Sequence, residues 1–418
     1  MVAKDDQALT ELLPEIISAD GRLGSFGAGL LEGAHDPEVM WERLVSQFEV
    51  TEEDKRRGQV LCGYLHALNL RDSELAVTLL DRALESDSLI RYFPSLEASI
   101  GIGEGGFARL IRSLKLGKTP GQAYQSLASG LASDTLSGME FKELVLGLAS
   151  KTDGFDAAIL LLGMRLGHGR RQGEAGEEAV MDAGREILRS FDFKQRSNNA
   201  DFHLGMVARY CLTDAGDADI VRQMCRNFRR LLSNYDTNSI YHESLIATLF
   251  SVQPLAALDG LIGRNYQEAG QPVTVSDDLH ILRANPFDQV DERVLLMWCD
   301  QDPKFNYPTA AAGVRIFAEP SDSIPTRWTN MALRILEGAP DRFAIIDAFV
   351  CRLSPISWWG SRAAILEAGA KLLDDLPLGE DEELIAYVAR ARVRLSQTIS
   401  EEREFETMRD SGNDARFE

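Results

Sequence analysis

Six histidines, five cysteines and several stretches dense in glycine or aspartate are the residues from which this chain could assemble a reactive centre. The histidines, His35, His66, His168, His203, His242 and His280, form neither H-E-x-x-H nor H-x-x-x-H, and none pairs with cysteine at zinc-finger spacing. Gly101, Gly103 and Gly106 match G-x-G-x-x-G, but a dinucleotide site needs a strand before that turn and an acidic residue on a second strand, and residues 94–100 read as helix or turn. Gly117, Lys118 and Thr119 supply the end of a phosphate loop, while Arg112 stands where its first glycine belongs. Asp214, Asp217 and Asp219 resemble part of a calcium loop without its sixth-position glycine or twelfth-position glutamate, so they read as helix caps. Tyr241, His242 and Glu243 are consecutive, and neighbours on a helix point in different directions. No G-x-S-x-G serine elbow occurs. The expectation is a chain with no catalytic residues, no cofactor and no metal.

Residues suited to binding are easier to find. Aromatic and arginine side chains dominate interface hot spots, which makes the adjacent Trp358 and Trp359 candidate anchors, one of the two expected to pack inward. Arg222, Arg226 and Arg229, with Arg230 beside them, form a basic cluster, otherwise read as the solvated side of a helix.

The element that carries those arginines sets the pattern for the chain. From Asp217, Ile220, Val221, Met224, Cys225, Phe228, Leu231 and Leu232 recur at three- and four-residue spacing, with polar residues between them. A polar turn at Ser233, Asn234, Asp236 and Asn238 leads to a second apolar pattern, Ile240 to Phe250, closed by Pro254. Such a hairpin cannot bury both stripes alone, so it must stack on others of its kind. Comparable patterns predict helices over 5–19, from Asp36 and Pro37 to Phe48, around Val60–Leu68 with Thr51 and Asp54 as cap, and from Asp72 to Leu84. More follow over 107–116, 120–131, 139–149, 155–166, 177–191 and 200–212, then 290–298, 309–317, 328–336, 343–353, 363–373 and from Glu380 onward. Asp20 to Gly33 reads as a glycine-rich loop, Gly167 to Gly176 as an exposed polar loop, and the charged residues after Ser400 as a polar cap or tail. The predicted fold is all-α, an α-solenoid of stacked antiparallel helix pairs. It divides into a helical array over 1–264, an irregular connection over 265–288 holding a short extended run at Val273–Val275, and further helices with a polar capping helix over 289–418.

Composition agrees with a packed chain: 44% of the 418 residues are hydrophobic, too many for a disordered polymer. A formal charge of -21 opposes non-specific nucleic-acid binding, which draws its affinity from a basic surface. No stretch reaches the ~20 apolar residues that span a bilayer, no secretory leader is legible in Met1–Gln7, and the five scattered cysteines read as reduced core residues. The expected location is cytoplasmic.

Several segments together resemble the helical C-terminal region of large bacterial anti-phage proteins, the AVAST and other STAND-type NTPases: Gly27–Trp41 (GAGLLEGAHDPEVMW), Leu75–Leu84 (LAVTLLDRAL), Leu160–Leu166 (LLLGMRL), Met297–Phe305 (MWCDQDPKF), Leu353–Gly369 (LSPISWWGSRAAILEAG) and the closing Asp414–Glu418. In that family TPR-like or HEAT-like repeats follow a P-loop NTPase and recognise a viral protein. The resemblance implies a non-enzymatic recognition role, with a phage protein or a defence effector or NTPase subunit as partner. This chain lacks the NTPase part, so a separate subunit or a fragment is implied. A purely structural scaffold is the alternative; a hydrolase with a site assembled from distant residues, His203 and His242 among them, is the other.

Overall fold

Several helix starts are set by a short polar side chain that satisfies the first free amides. Asp36 accepts from Glu38 N and Val39 N, Asp72 from Leu75 N, and Asp341 from Phe343 N and Ala344 N. Ser137 and Glu140 form a reciprocal capping box. A computed structural model of the chain describes residues 6–171, 177–194, 198–263, 285–318, 327–355 and 358–414. Its architecture is all-α. The helices are α1 (Asp6–Ser18), α2 (Gly24–Gly33), α3 (Pro37–Val50), α4 (Gln59–Arg71), α5 (Ser73–Glu85), α6 (Phe93–Ile100) and α7 (Gly106–Leu116); after a long 3-10 run (Gly121–Thr135) come α8 (Gly138–Ala149), α9 (Phe155–Arg171), α10 (Glu178–Ser190) and α11 (Asn198–Cys211). The chain continues with α12 (Ala218–Ser233), α13 (Glu243–Val252), α14 (Pro254–Leu261), α15 (Glu292–Cys299), α16 (Pro303–Gly313), α17 (Asn330–Gly338), α18 (Arg342–Arg352), α19 (Arg362–Leu372) and α20 (Glu382–Asp414). The strand content of the described residues is a two-residue antiparallel pair, Phe317–Ala318 with Arg327–Trp328.

Two units divide the helices: Met1–Ser190 with Phe202–Cys211, and Phe191–Asp201 with Leu212–Glu418. In the first, helices pack on those two positions along, α1 on α3, α2 on α4, α4 on α6, α5 on α7 and α8 on α10, while the 3-10 run joins α6 and α9. Trp41, Phe48, Tyr64, Phe93, Tyr124 and Phe141 fill its interior. In the second, α12 packs on α14, α15 on α17, α16 on α18, and α20 on both α18 and α19. Each stripe read from α12 is buried there, all seven side chains from Ile220 to Leu232. Fully burying an aliphatic or aromatic side chain contributes roughly 1.5–3 kcal/mol, so this face alone supplies on the order of 10 kcal/mol before conformational entropy offsets it.

Five local expectations are corrected. The glycine-rich stretch from Asp20 is a helix from Gly24, because its glycines serve a close approach: a Cβ on Gly27 would overlap Val60 O, and one on Gly63 would overlap Gly24 O. Backbone there meets backbone between α2 and α4. Thr51 and Asp54 do not cap α4; Thr51 ends α3, residues 53–55 form a 3-10 turn, and Gly58 precedes α4 without a side-chain cap. The segment expected as helix over 120–131 is the 3-10 run, buried through Tyr124 and Leu127. Helix α9 continues to Arg171 through what was expected as loop, and residues 172–176 lie outside the described residues. Pro254 opens α14 at its first position rather than closing a hairpin, and α14, more than α13, is the partner of α12. The expected connection at 265–288, with its Val273–Val275 run, lies outside the described residues up to 284; residues 286–289 form a 3-10 turn.

Candidate partner-binding surface

The chemistry-bearing motifs are used for packing. Gly101 and Gly105 take left-handed conformations in the link from α6 to α7, and Gly106 leaves room for the Glu97 carboxylate, which a Cβ there would strike. Arg109 donates to Glu97 through Nε and Nη2, both at 2.8 Å, with Glu97 wholly buried. Burial pushes the Glu97 carboxyl up and the guanidinium draws it back, while Arg109 is held above its ordinary range by the same bonds. Lys118 pairs with Asp87 at 2.6 Å, and Thr119 donates to Ile90 O and accepts from Ser113 inside a buried hydroxyl cluster completed by Tyr124. Asp214 and Asp217 cap a 3-10 turn reciprocally, and Asp219 pairs with Arg222.

The histidines show the same economy. His242 is buried among Phe191, Phe193 and Phe228, whose ring centroids lie 5.9, 5.1 and 5.6 Å away. Its Nε2 stands 2.9 Å from Phe193 O and 3.2 Å from Thr237 Oγ1. A carbonyl can only accept, so Nε2 carries the proton and the buried Nδ1 lone pair is left without a partner. Burial lowers the pKa of the ring. His203 lies against Gly163, with Nδ1 likewise unpartnered and its pKa lowered by burial. His168 pairs with Asp134 at 2.8 Å, and His66 meets Ser99 O through Nδ1. His280 lies outside the described residues. Among the described residues no three His, Cys, Asp or Glu side chains converge as metal ligands do, and no helix is long and apolar enough to cross a membrane. Cys211, Cys225 and Cys299 are buried as expected, while Cys62 is half-buried and Cys351 exposed.

The tryptophans separate cleanly. Trp41, Trp298 and Trp328 are core residues, the last two donating to Asp259 Oδ1 and Leu372 O. Trp358 and Trp359 are both on the surface, at 40% and 98% exposure, so the expected inward member of the pair does not exist. What covers Trp358 is Arg362, whose guanidinium carbon lies 4.8 Å from the ring centroid. The arginine is itself fixed by Glu402 at 2.8 Å. Gly360, at a φ of +80°, turns the chain into α19, where Ser361 accepts from Ala364 N. Glu406 then accepts from Ser361 Oγ at 2.7 Å and from Ala363 N at 3.2 Å. The Ser361 bond leads in drawing the Glu406 pKa down, against burial.

Helix α20 thus clamps the tryptophan turn with side chains expected to belong to a polar cap or tail. Glu402 and Glu406 are four apart and share one face, the signal that could have marked them. Phe405 and Met408, on the same turns of α20, are exposed.

The basic cluster is less uniform than its sequence. Arg222 pairs with Asp219, and Arg229 donates to Gly263 O at 3.0 Å, closing the end of α14. Both are tied into the fold, and Arg226 and Arg230 are exposed. These arginines lie on α12 and the tryptophans in the turn before α19, with no helix in common. Comparison with family models, with curated proteins and with solved structures finds no match to this chain.

Proposed function

We propose that this chain is a non-enzymatic α-solenoid interaction protein, working as a subunit of a bacterial anti-phage defence system that recognises a phage protein or a partner effector or NTPase subunit. The observation that carries the reading is Trp359, an aromatic side chain almost wholly in water on a turn that Gly360, Glu402, Glu406 and Arg362 fix. A rigid exposed tryptophan loses little conformational freedom on binding and buries 150–250 Å² when covered, about that of any aromatic side chain. Packing of several helices on the one two positions along, within each unit, supports the solenoid, and the resemblance of the segments around Trp41, Trp298 and Trp358 supports the defence setting. Recognition would act by binding one conformation of the partner better than another.

The test uses the full chain and its Trp359→Ser variant as paired baits in extracts of infected and uninfected bacteria, with quantitative mass spectrometry. A partner held by this surface is enriched with the native chain and falls by roughly tenfold or more with the variant, as loss of a hot-spot aromatic predicts. Identical captures with the two baits would remove the tryptophan turn from the recognition surface.

A further inference from the structure

We propose that a groove in the first unit, between the 3-10 turn at residues 53–55 and the start of the long 3-10 run, binds an extended protein segment that carries basic side chains. The groove holds about 770 Å³, and Glu53, Asp54, Arg91, Tyr92, Gln122 and Gln125 are among the residues that line it. It shares no residue with the tryptophan turn. Its character comes from the run itself, because 3-10 helices seldom exceed three or four residues and this one spans Gly121–Thr135. At three residues per turn, positions i and i+3 eclipse each other. Gly121, Tyr124 and Leu127 therefore share one line, and all three are buried. Gln122 and Gln125 share the next line, and both are exposed.

The buried line holds the two glutamines in place. Gly121 N donates to Asp153 Oδ2 at 2.7 Å, and a Cβ on Gly121 would strike Gly154 Cα, so the start of the run lies directly on the turn before α9. Tyr124 donates to Ser113 in the buried hydroxyl cluster. Among the described residues no hydrogen bond engages the side-chain amide of Gln122 or Gln125. Each amide has an oxygen that accepts and an NH2 that donates, the complement of one residue's backbone N–H and C=O. Three residues at the 3-10 rise of ~2.0 Å set the two glutamines about 6 Å apart along the run. Alternate residues of an extended chain present N–H and C=O to one side at a repeat of about 6.7 Å, close enough for both amides to pair with a single segment. A helical segment does not fit, because its own backbone bonds consume those groups. Charge then selects the side chains. The lining holds two carboxylates, Glu53 and Asp54, against one guanidinium, Arg91, which pairs with Glu53. The groove is thus acidic on balance in a chain of net charge -21, so a basic segment is attracted where an acidic one is repelled. The Tyr92 ring, set edge-on to Phe48 at 5.1 Å, gives the wall an apolar surface for the stem of a lysine or arginine.

Fluorescence anisotropy on the full chain tests the proposal with three labelled probes of equal length: an alternating Lys/Thr peptide, its Glu/Thr counterpart, and a stapled helical peptide with the charge of the first. Saturable binding of the Lys/Thr peptide is expected, weakened roughly tenfold or more by Gln122→Ala with Gln125→Ala, as loss of two paired amides predicts. Both glutamines are exposed, so the double variant should keep the native melting temperature. Asp54→Asn should weaken the same binding roughly threefold at low salt, and by less as salt is added. The proposal is overturned if the Lys/Thr peptide does not saturate, if the Glu/Thr peptide or the stapled helix binds as tightly, or if the double glutamine variant keeps full affinity.

Discussion

Two buried polar hubs, one in each unit, hold a chain reversal by opposite means. In the first, Glu97 at the end of α6 is tied to Arg109 on α7 by a two-pronged ion pair, with both charges largely removed from water. In the second, His242 and Thr237 converge on Phe193 O as neutral groups inside an aromatic ring of three phenylalanines. A paired charge is well satisfied but leaves a large penalty behind when one partner goes; a neutral hub is cheaper to break and sensitive to any proton it gains. Arg109→Met should therefore give the largest effect, about 3–5 kcal/mol, because the Glu97 carboxylate stays buried with nothing to balance it. Adding Glu97→Met should recover much of that loss. Urea unfolding of the native chain and the single and double variants measures both. A double variant as unstable as the single one would show that the ion pair, and not the orphaned charge, dominates.

The neutral hub responds to acid instead. Burial lowers the His242 pKa below its ordinary value near 6.5, so between that value and the lower folded one the unfolded chain binds more protons than the folded chain. The stability this histidine contributes is whole above about pH 6.5 and is lost as pH falls toward the folded pKa, by about 1.4 kcal/mol for each unit of depression. Nδ1 has no acceptor for the added proton. His203 shifts in the same direction, so the native chain alone does not isolate the effect. His242→Gln keeps an amide donor for Phe193 O and cannot titrate. Its melting temperature should fall less than that of the native chain between pH 7 and pH 5, and equal slopes would assign the acid response elsewhere.

How much of this was legible depends on whether a residue's reason is local. The α12 stripe, the Asp36 and Asp72 caps and the all-α class follow from spacing and cap chemistry, which a sequence displays directly. Gly24 to Gly33 misled because glycine breaks helices by its own propensity, while here the gain comes from Gly63 on another helix. Both tryptophans could be exposed because Arg362, four residues beyond Trp358, covers one of them from outside the core. Glu402 and Glu406 read only as part of a polar cap or tail because their partners, Arg362, Ser361 and Ala363, lie forty or more residues earlier. Tyr235, at a φ of 59° just after α12, lies in a polar run whose local signal is a helix end with no glycine after it.

The smallest effect sharpens the contrast most. Thr237 donates its hydroxyl proton to Phe193 O at 2.8 Å, and His242 Nε2 donates to the same oxygen, so Thr237→Val leaves that carbonyl with one donor still in place. No charge is exposed by the change and the side-chain volume is kept. The loss should be one ordinary neutral hydrogen bond, about 1 kcal/mol, read as a shift in the urea midpoint with an unchanged slope. The hub would then lean on His242 alone, and the acid sensitivity of the variant should be at least as steep as that of the native chain, since the imidazole still has no acceptor at Nδ1. If Thr237→Val instead cost as much as Arg109→Met, the neutral hub would be as indispensable as the charged one, and the division between them would not stand.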